Sequence, residues 1–313
     1  MSRSRLALSL LLLFAVRIGN AAILRVGPGE RITRIADAAT LAQEGDVIEI
    51  MPGEYRGDVA VWLQKSLTIR GIGARPVLVA DGKHAEGKAI WVIRDGRFRI
   101  ENIEFRGTRV PGGNGAGIRF EGGRLIVRDS EFIDNQMGIL TSNALSAELV
   151  IENCRFADAP HQTHSLPHLL YVGTIDRATI VGSRFESGFR GHLIKSRART
   201  TVIRNSYIVD GPDGEASYEI DLPNGGIAHI VGNTVGQSAA TQNPVLISFG
   251  AEGKVWPENS LTLRNNTLIS DYLPGGWFLR VHDESFGSAP NLDIESNVTK
   301  GIGILMPTHR PAQ

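Results

Sequence analysis

A six-residue phrase occurs seven times along this chain at nearly even intervals, and that limits the folds open to it more than any single motif does. It reads Ile100-Glu-Asn-Ile-Glu-Phe, Val127-Arg-Asp-Ser-Glu-Phe, Ile151-Glu-Asn-Cys-Arg-Phe and Ile180-Val-Gly-Ser-Arg-Phe. It continues as Ile203-Arg-Asn-Ser-Tyr-Ile, Ile230-Val-Gly-Asn-Thr-Val and Leu263-Arg-Asn-Asn-Thr-Leu, and Ile294-Glu-Ser-Asn-Val looks like one further copy. The closing residues Phe105, Phe132, Phe156, Phe185, Ile208, Val235 and Leu268 lie 27, 24, 29, 23, 27 and 33 positions apart. Short strands repeated at such a period build a solenoid or a propeller. A propeller blade needs about 40 residues and four strands, which is too long. A leucine-rich repeat needs a leucine framework that is absent. The remaining choice is a parallel β-helix, each repeat forming one coil of two or three short strands.

In such a stack, like positions on successive coils lie about 4.8 Å apart. The column Asn102, Asp129, Asn153, Gly182, Asn205, Gly232 and Asn265 is expected to bond coil to coil at a bend, with the aliphatic and aromatic column beside it filling the interior. Asn265-Asn-Thr and Asn297-Val-Thr match the glycosylation sequon, but their place in the ladder predicts a structural role. Ahead of the repeats, Ile35, Ala38, Ala39 and Ala42 keep near-helical spacing within Ile32–Ala42, with Thr33 as N-cap and Gly45 as stop. Asp46 to Tyr55 then reads as a strand ending in a turn. The 36 glycines and 6% aromatics among 313 residues suit many short strands and tight turns.

Over residues 24–300 the sequence resembles the right-handed parallel β-helix (pectin lyase-like) superfamily, and Ala36 to Tyr55 is similar to the cap helix and first coil of many secreted members. The expected fold class is all-β: a right-handed parallel β-helix with a short N-terminal capping helix. It spans 23–300 and is followed by a C-terminal tail over 301–313. The superfamily carries lyases, hydrolases, epimerases, esterases and non-catalytic adhesins, so the fold alone does not choose among activities.

The first 22 residues combine Arg3 and Arg5, an apolar run from Leu6 to Val16, and Gly19-Asn-Ala-Ala, the pattern of a secretory signal peptide cut after Ala21 or Ala22. No later run approaches the roughly 18 apolar residues of a membrane span, so the expectation is a periplasmic or secreted protein with no span after cleavage. Cleavage would remove three arginines from 33 basic and 33 acidic residues and leave a formal charge of −3. That balance offers no footprint for nucleic acid. Cys154 is the only cysteine, which excludes an intrachain disulfide.

The repeat also aligns a second strand in each coil: Gly138-Ile-Leu-Thr, His168-Leu-Leu-Tyr, His192-Leu-Ile-Lys, Tyr218-Glu-Ile-Asp, Val245-Leu-Ile-Ser and Trp277-Phe-Leu-Arg. With period-two alternation and Ile194, Ile220 and Ile247 inward, Thr141, Tyr171, Lys195, Asp221, Ser248 and Arg280 are expected to stack outward. Leu193 and Glu219 would form an adjoining outward column. Ionisable residues are densest from Phe189 to Gly226, with His168 and Tyr171 one coil away. The candidate catalytic residues are Lys195, His192, Asp221, Glu219 and Tyr171. Arg197, His168, Tyr218 and Asn224 are the candidate substrate-binding residues.

These residue types suit an acidic or neutral glycan. β-Elimination from a uronic acid needs a cation for the carboxylate (Lys195 or Arg197), a base for the C5 proton (Lys195, His192 or Tyr171) and an acid for the leaving oxygen. Hydrolysis would use two carboxylates, with Glu219 and Asp221 the local pair. The plainer alternative makes Lys195 and Asp221 a cross-strand ion pair, the histidines backbone caps and Asn224-Gly-Gly a turn. The Lys195-Ser196 pair is similar to the Lys-Ser of alginate and chondroitin lyases of this fold, where the resemblance implies a lysine base. Those enzymes place an arginine on the following coil, where this chain has Asp221. No metal site is expected; calcium stays open as a cofactor, although no ligand cluster stands out. The expected partner is a polysaccharide, bound and, on the enzymatic reading, cleaved. The alternative is a non-catalytic glycan-binding or envelope structural β-helix. A third reading, an esterase built on Ser165 with His161, His164 and His168, lacks an obvious carboxylate.

Overall fold

Each repeat places one apolar residue every second position over a few residues and then breaks at Gly, Asn or Ser, so it forms short strands that can bury only one face. Stacking repeats is how those faces leave water. The computed structural model describes residues 21–161, 165–254 and 256–305. Of the segment 1–22 expected to be a signal peptide, residues 1–20 lie outside the described residues, as do residues 306–313. The described residues wind into a solenoid of three parallel sheets with 11, 10 and 10 strands. The last described strand, Gly303–Leu305, pairs with Gly276–Val281, so the solenoid continues past residue 300. No described helix is long and apolar enough to cross a membrane.

The closing residue of each phrase lies in the sheet of shortest strands and points inward. Phe105, Phe132, Phe156 and Phe185 stack at centroid separations of 5.1, 4.6 and 4.7 Å with nearly parallel planes. Such ring pairs contribute about 0.5–1.5 kcal/mol each beyond the area they bury. Ile208, Val235 and Leu268 continue the column, all fully buried. Trp91 and Trp62 extend it toward the N-terminus in edge-on contacts of 5.0 and 5.2 Å.

The expected coil-to-coil amide bond forms at Asn102, whose Nδ2 donates to the Gly71 carbonyl at 3.1 Å, but farther along the chain the ladder is displaced by one residue. Asn102, Asp129, Asn153, Asn205 and Asn265 have φ between 49° and 56°, and Gly182 and Gly232 have 60° and 72°. This column makes the left-handed turn between two sheets, which Asn, Asp and Gly tolerate best. The ladder runs through the next position. Ser206 Oγ accepts the Ser183 amide at 3.1 Å, Asn233 Oδ1 accepts the Ser206 amide at 2.9 Å, and Asn266 Oδ1 accepts the Asn233 amide at 2.9 Å. Asn297 Oδ1 closes the series by accepting the Asn266 amide at 3.0 Å.

The predicted cap helix forms over Ile35–Leu41 and buries Ile35, Ala38 and Ala39. Thr33 does not cap it. Arg34 occupies the N-cap position without a side-chain bond, and Asp58 from the next coil accepts the Ile35 and Ala36 amides at 2.6 and 3.0 Å. A carboxylate is well matched to the positive end of the helix.

Candidate functional site

The 10-stranded sheet containing His168–Val172, Ile194–Ser196, Ile220–Leu222 and Val245–Phe249 carries the candidate residues. Pairing sets Tyr171 opposite Lys195, Lys195 opposite Asp221, Asp221 opposite Ser248 and Ser248 opposite Arg280. Ile194, Ile220 and Ile247 are fully buried in the core beneath them. Tyr171 pairs with Leu140, not Thr141, and Leu140 with Arg119, so Leu140 takes the place expected of Thr141 and the column continues through Arg119, which the sequence did not nominate. Thr141 turns into the sheet corner, where it is 3% exposed and its Oγ1 accepts the Gly173 amide at 2.7 Å.

Glu219 departs from its expected outward position. Regular strands send alternate side chains to opposite faces, but here two consecutive amides bond toward the same neighbouring coil. Leu169 and Leu170 donate to the His192 and Leu193 carbonyls at 3.2 and 3.1 Å. Leu193 and Ile194 donate to the Tyr218 and Glu219 carbonyls, each at 3.0 Å. This local break turns two successive side chains inward on each coil, so Leu169 and Leu170, Leu193 and Ile194, and Leu246 and Ile247 all belong to the core. Glu219 takes the same place between Leu193 and Leu246. It is fully buried, and neither carboxyl oxygen has a hydrogen-bond partner. Burial, and then the nearby Asp210 carboxyl, push its pKa well above the usual glutamate range.

The remaining candidates meet on the outer face. Lys195 Nζ lies 2.6 Å from Glu252 Oε1 and 3.3 Å from Asp221 Oδ2. Arg197 reaches Glu252 Oε2 at 2.5 Å, Tyr171 Oη at 3.0 Å and Asn224 Oδ1 at 2.7 Å. Asn224 is held in turn because its amide donates to the Gly253 and Lys254 carbonyls. The Trp256 indole donates to the Arg197 carbonyl at 3.2 Å, fastening the same loop to the site. Lys195 and Arg197 each lie 5.9 Å from the Tyr171 ring centroid.

A row of rings borders this network. His168 and His192 are 4.7 Å apart by centroid, and His192 and Tyr218 are 4.8 Å apart. The His192 amide donates to His168 Nδ1 at 2.8 Å, which makes that nitrogen an acceptor. Burial, followed by the electrostatic influence of His192, Lys195 and Arg197, holds the His168 pKa well below the usual histidine range. His192 Nδ1 faces Asp221 Oδ2 at 3.2 Å, an ion-pair distance without hydrogen-bond alignment, and Asp221 Oδ1 is buried with no partner. His192 Nδ1 likewise has no hydrogen-bond partner.

Sequence reasoning did not nominate Glu252, Trp256 or Arg119. The first two lie on the loop that follows Val245–Phe249, and the 33-residue interval between Val235 and Leu268 was its trace in the sequence. A cavity of about 470 Å³ opens beside Tyr171, Arg197, Asn224 and Trp256. A second, of about 280 Å³, shares Tyr171 and Asn143 with it and reaches Arg119. A cavity of about 930 Å³ elsewhere is lined by Asp134, His161, Asp210 and Asp213 and by none of the candidate residues. His161 stacks on Phe189 at 4.3 Å, and Ser165 Oγ donates to the Gly113 carbonyl at 2.5 Å, while His164 lies outside the described residues. Among the described residues no cluster of three or more His, Cys, Asp or Glu side chains is arranged to hold a metal ion. Asp221 and Glu252 both contact the Lys195 ammonium, so a cation already lies between these two carboxylates.

No protein-family model and no curated protein matches the chain. Solved structures do. An alginate lyase of the PL6 family superposes with a TM-score of 0.60 at 17% identity, covering 90% of this chain and 40% of its own. The pectate lyase Pel9A superposes with a TM-score of 0.55 at 12% identity, covering 93% of this chain and 80% of its own. This chain therefore spans less than half the length of that alginate lyase. The likeness is one of fold: this chain is a parallel β-helix, as both of those structures are.

Proposed function

We propose that the outer face centred on Lys195 binds an acidic polysaccharide outside the cytoplasm and cleaves it by β-elimination. The observation that carries this reading is the bridging of Glu252 between Lys195 and Arg197, at 2.6 and 2.5 Å. A carboxylate already occupies the place where a uronate carboxylate would be received. Glu252 lies on a surface loop with its side chain 43% exposed, so substrate can displace it. Structural likeness to an alginate lyase and a pectate lyase supports the substrate class.

The roles follow from the contacts. Lys195 and Arg197 take the substrate carboxylate and stabilise the charge that develops when the adjacent C5 proton leaves. His192, backed by Asp221, accepts that proton at Nε2. Tyr171 accepts an Arg197 N–H at its oxygen, which leaves its own O–H to donate to the departing glycosidic oxygen. Hydrolysis is less well served. Glu219 is off the face, and Glu252, whose pKa Lys195 and Arg197 hold below the usual range against the effect of burial, is poorly suited to be the acid of a carboxyl pair.

The test is a screen of acidic polysaccharides for unsaturated uronate product by ultraviolet absorbance. Lys195→Ala should abolish product formation while circular dichroism stays that of the folded solenoid, with a lowered unfolding midpoint because the buried Asp221 loses its cation. If no acidic polysaccharide yields product but arrays show binding, the protein is a non-catalytic glycan binder.

A further inference from the structure

Arg119 is outward on Ala116–Phe120 and shares its column with Leu140, Tyr171 and Lys195. It is partly buried, its Nε has no hydrogen-bond partner, and its guanidinium enters no ion pair among the described residues. Its nearest sequence carboxylate, Glu121, is taken by Lys88 at 2.6 Å and by Arg94. Burial pulls the Arg119 pKa below the usual arginine range, with Glu121 opposing weakly. An unpaired, partly desolvated guanidinium is costly to keep unless something anionic visits it.

The surroundings indicate what could visit. Arg119 lines the smaller cavity with Asn114, Met137, Leu140, Asn143 and Tyr171. Asn143 and Tyr171 also line the cavity that contains Arg197, Asn224 and Trp256, so the two form one groove along the solenoid axis. Between its cationic ends the floor is apolar, made by Met137 and Leu140 with Tyr171 packed on them. Such a floor suits the C–H faces of sugar rings. Arg119 and Lys195 are three coils apart, roughly 14 Å at the usual strand spacing.

We propose that Arg119 is a second anion subsite of the same groove, taking the carboxylate of a uronate unit several sugars from the one at Lys195 and Arg197. The inference rests on the reading of that face as an acidic-glycan site and extends it: the ligand is a polyanion with charges spaced along its chain, not a single acidic sugar. An extended glycan whose rings advance by about one coil spacing each would touch both ends.

The test is calorimetric titration of the full chain with galacturonate and mannuronate dimers and hexamers, and with hexamers whose carboxyl groups have been methyl-esterified. Wild type should prefer the hexamer to the dimer, and esterification should remove the preference. Arg119→Gln should reduce the hexamer-to-dimer affinity ratio about tenfold, the loss of one charge-assisted contact, and Arg119→Lys should restore part of it. An unchanged ratio in Arg119→Gln overturns the subsite and leaves the Lys195 site standing. If no uronate binds wild type at all, the reading of the whole face falls, and the subsite with it.

Discussion

Replacing Glu219 by leucine should stabilise the protein, because the wild-type carboxyl is fully buried between Leu193 and Leu246 with neither oxygen hydrogen-bonded. An orphaned buried polar group costs about 1–3 kcal/mol, and leucine fits the column on either side. The gain should be about 2 kcal/mol at mildly acidic pH and should grow as pH rises. The folded-state pKa lies well above the usual value of 4.5, so the native protein keeps a proton that the unfolded chain releases. Wild-type stability contributed by this group is present below the unfolded pKa and falls as pH rises through the folded one, by up to about 1.4 kcal/mol per pH unit. Glu219→Leu has no such group, so its advantage widens across that window. Asp210, whose pKa burial raises to about 6, acts with the same sign between 3.8 and about 6 but is present in both proteins. The assay is urea unfolding at a series of pH values, with Glu219→Gln as control. The glutamine should remove the pH-dependent part and retain most of the constant cost. A leucine variant less stable than wild type at neutral pH, or a gap that does not change with pH, would refute the argument.

Two further outcomes test other parts of the structure. Glu252→Gln should tighten binding of uronate oligomers about threefold, since a half-exposed ion pair worth about 0–1 kcal/mol no longer has to be displaced; weaker binding, read by titration, would make Glu252 a ligand contact instead. Asn266→Ala should lower stability by about 3 kcal/mol in urea unfolding, because the Asn233 amide loses its acceptor inside the ladder and the bonds from Asn266 Nδ2 to Ile230 and Asn297 are lost as well. A loss under about 1 kcal/mol would show that the ladder relaxes around the gap.

The solenoid was legible because its period and its core column are the same fact. Residues that recur at one position on every coil stack, and a stacked column of phenylalanines needs nothing else to define an interior. The neighbouring polar column was read correctly as a bend, and Asn102 makes the expected coil-to-coil bond to the Gly71 carbonyl, but from Ser183 onward the next position takes over that task. Asn, Asp and Gly serve both as left-handed turn residues and as ladder formers, and residue type alone does not separate the two uses. The displaced ladder from Ser183 through Ser206, Asn233, Asn266 and Asn297 carries the coil-to-coil bonds. Thr33 was a fair N-cap by type, yet the cap came from Asp58, a partner distant in sequence that no local pattern could indicate.

The site was legible as far as strict alternation holds and illegible where it breaks. Tyr171, Lys195 and Asp221 share an outward column because one residue of each strand faces out and the pairing is in register. Glu219 lies two residues before Asp221 on the same segment, and period-two counting puts both on one face. The paired inward turns at Leu193-Ile194 and Leu246-Ile247 show what counting misses: the strand begins with a doubled inward step, and Glu219 occupies it because the backbone does so on every neighbouring coil. That single change of face bears on the chemistry. With Glu219 outward, the groove would offer two carboxylates of its own sheet, the equipment of a hydrolase. With Glu219 inward, the sheet offers one carboxylate that backs a histidine, two cations that hold a loop carboxylate, and a phenol whose oxygen already accepts a bond from one of those cations. On the proposed reading those parts serve proton abstraction next to a carboxylate, with Glu252 holding the place of the substrate carboxylate.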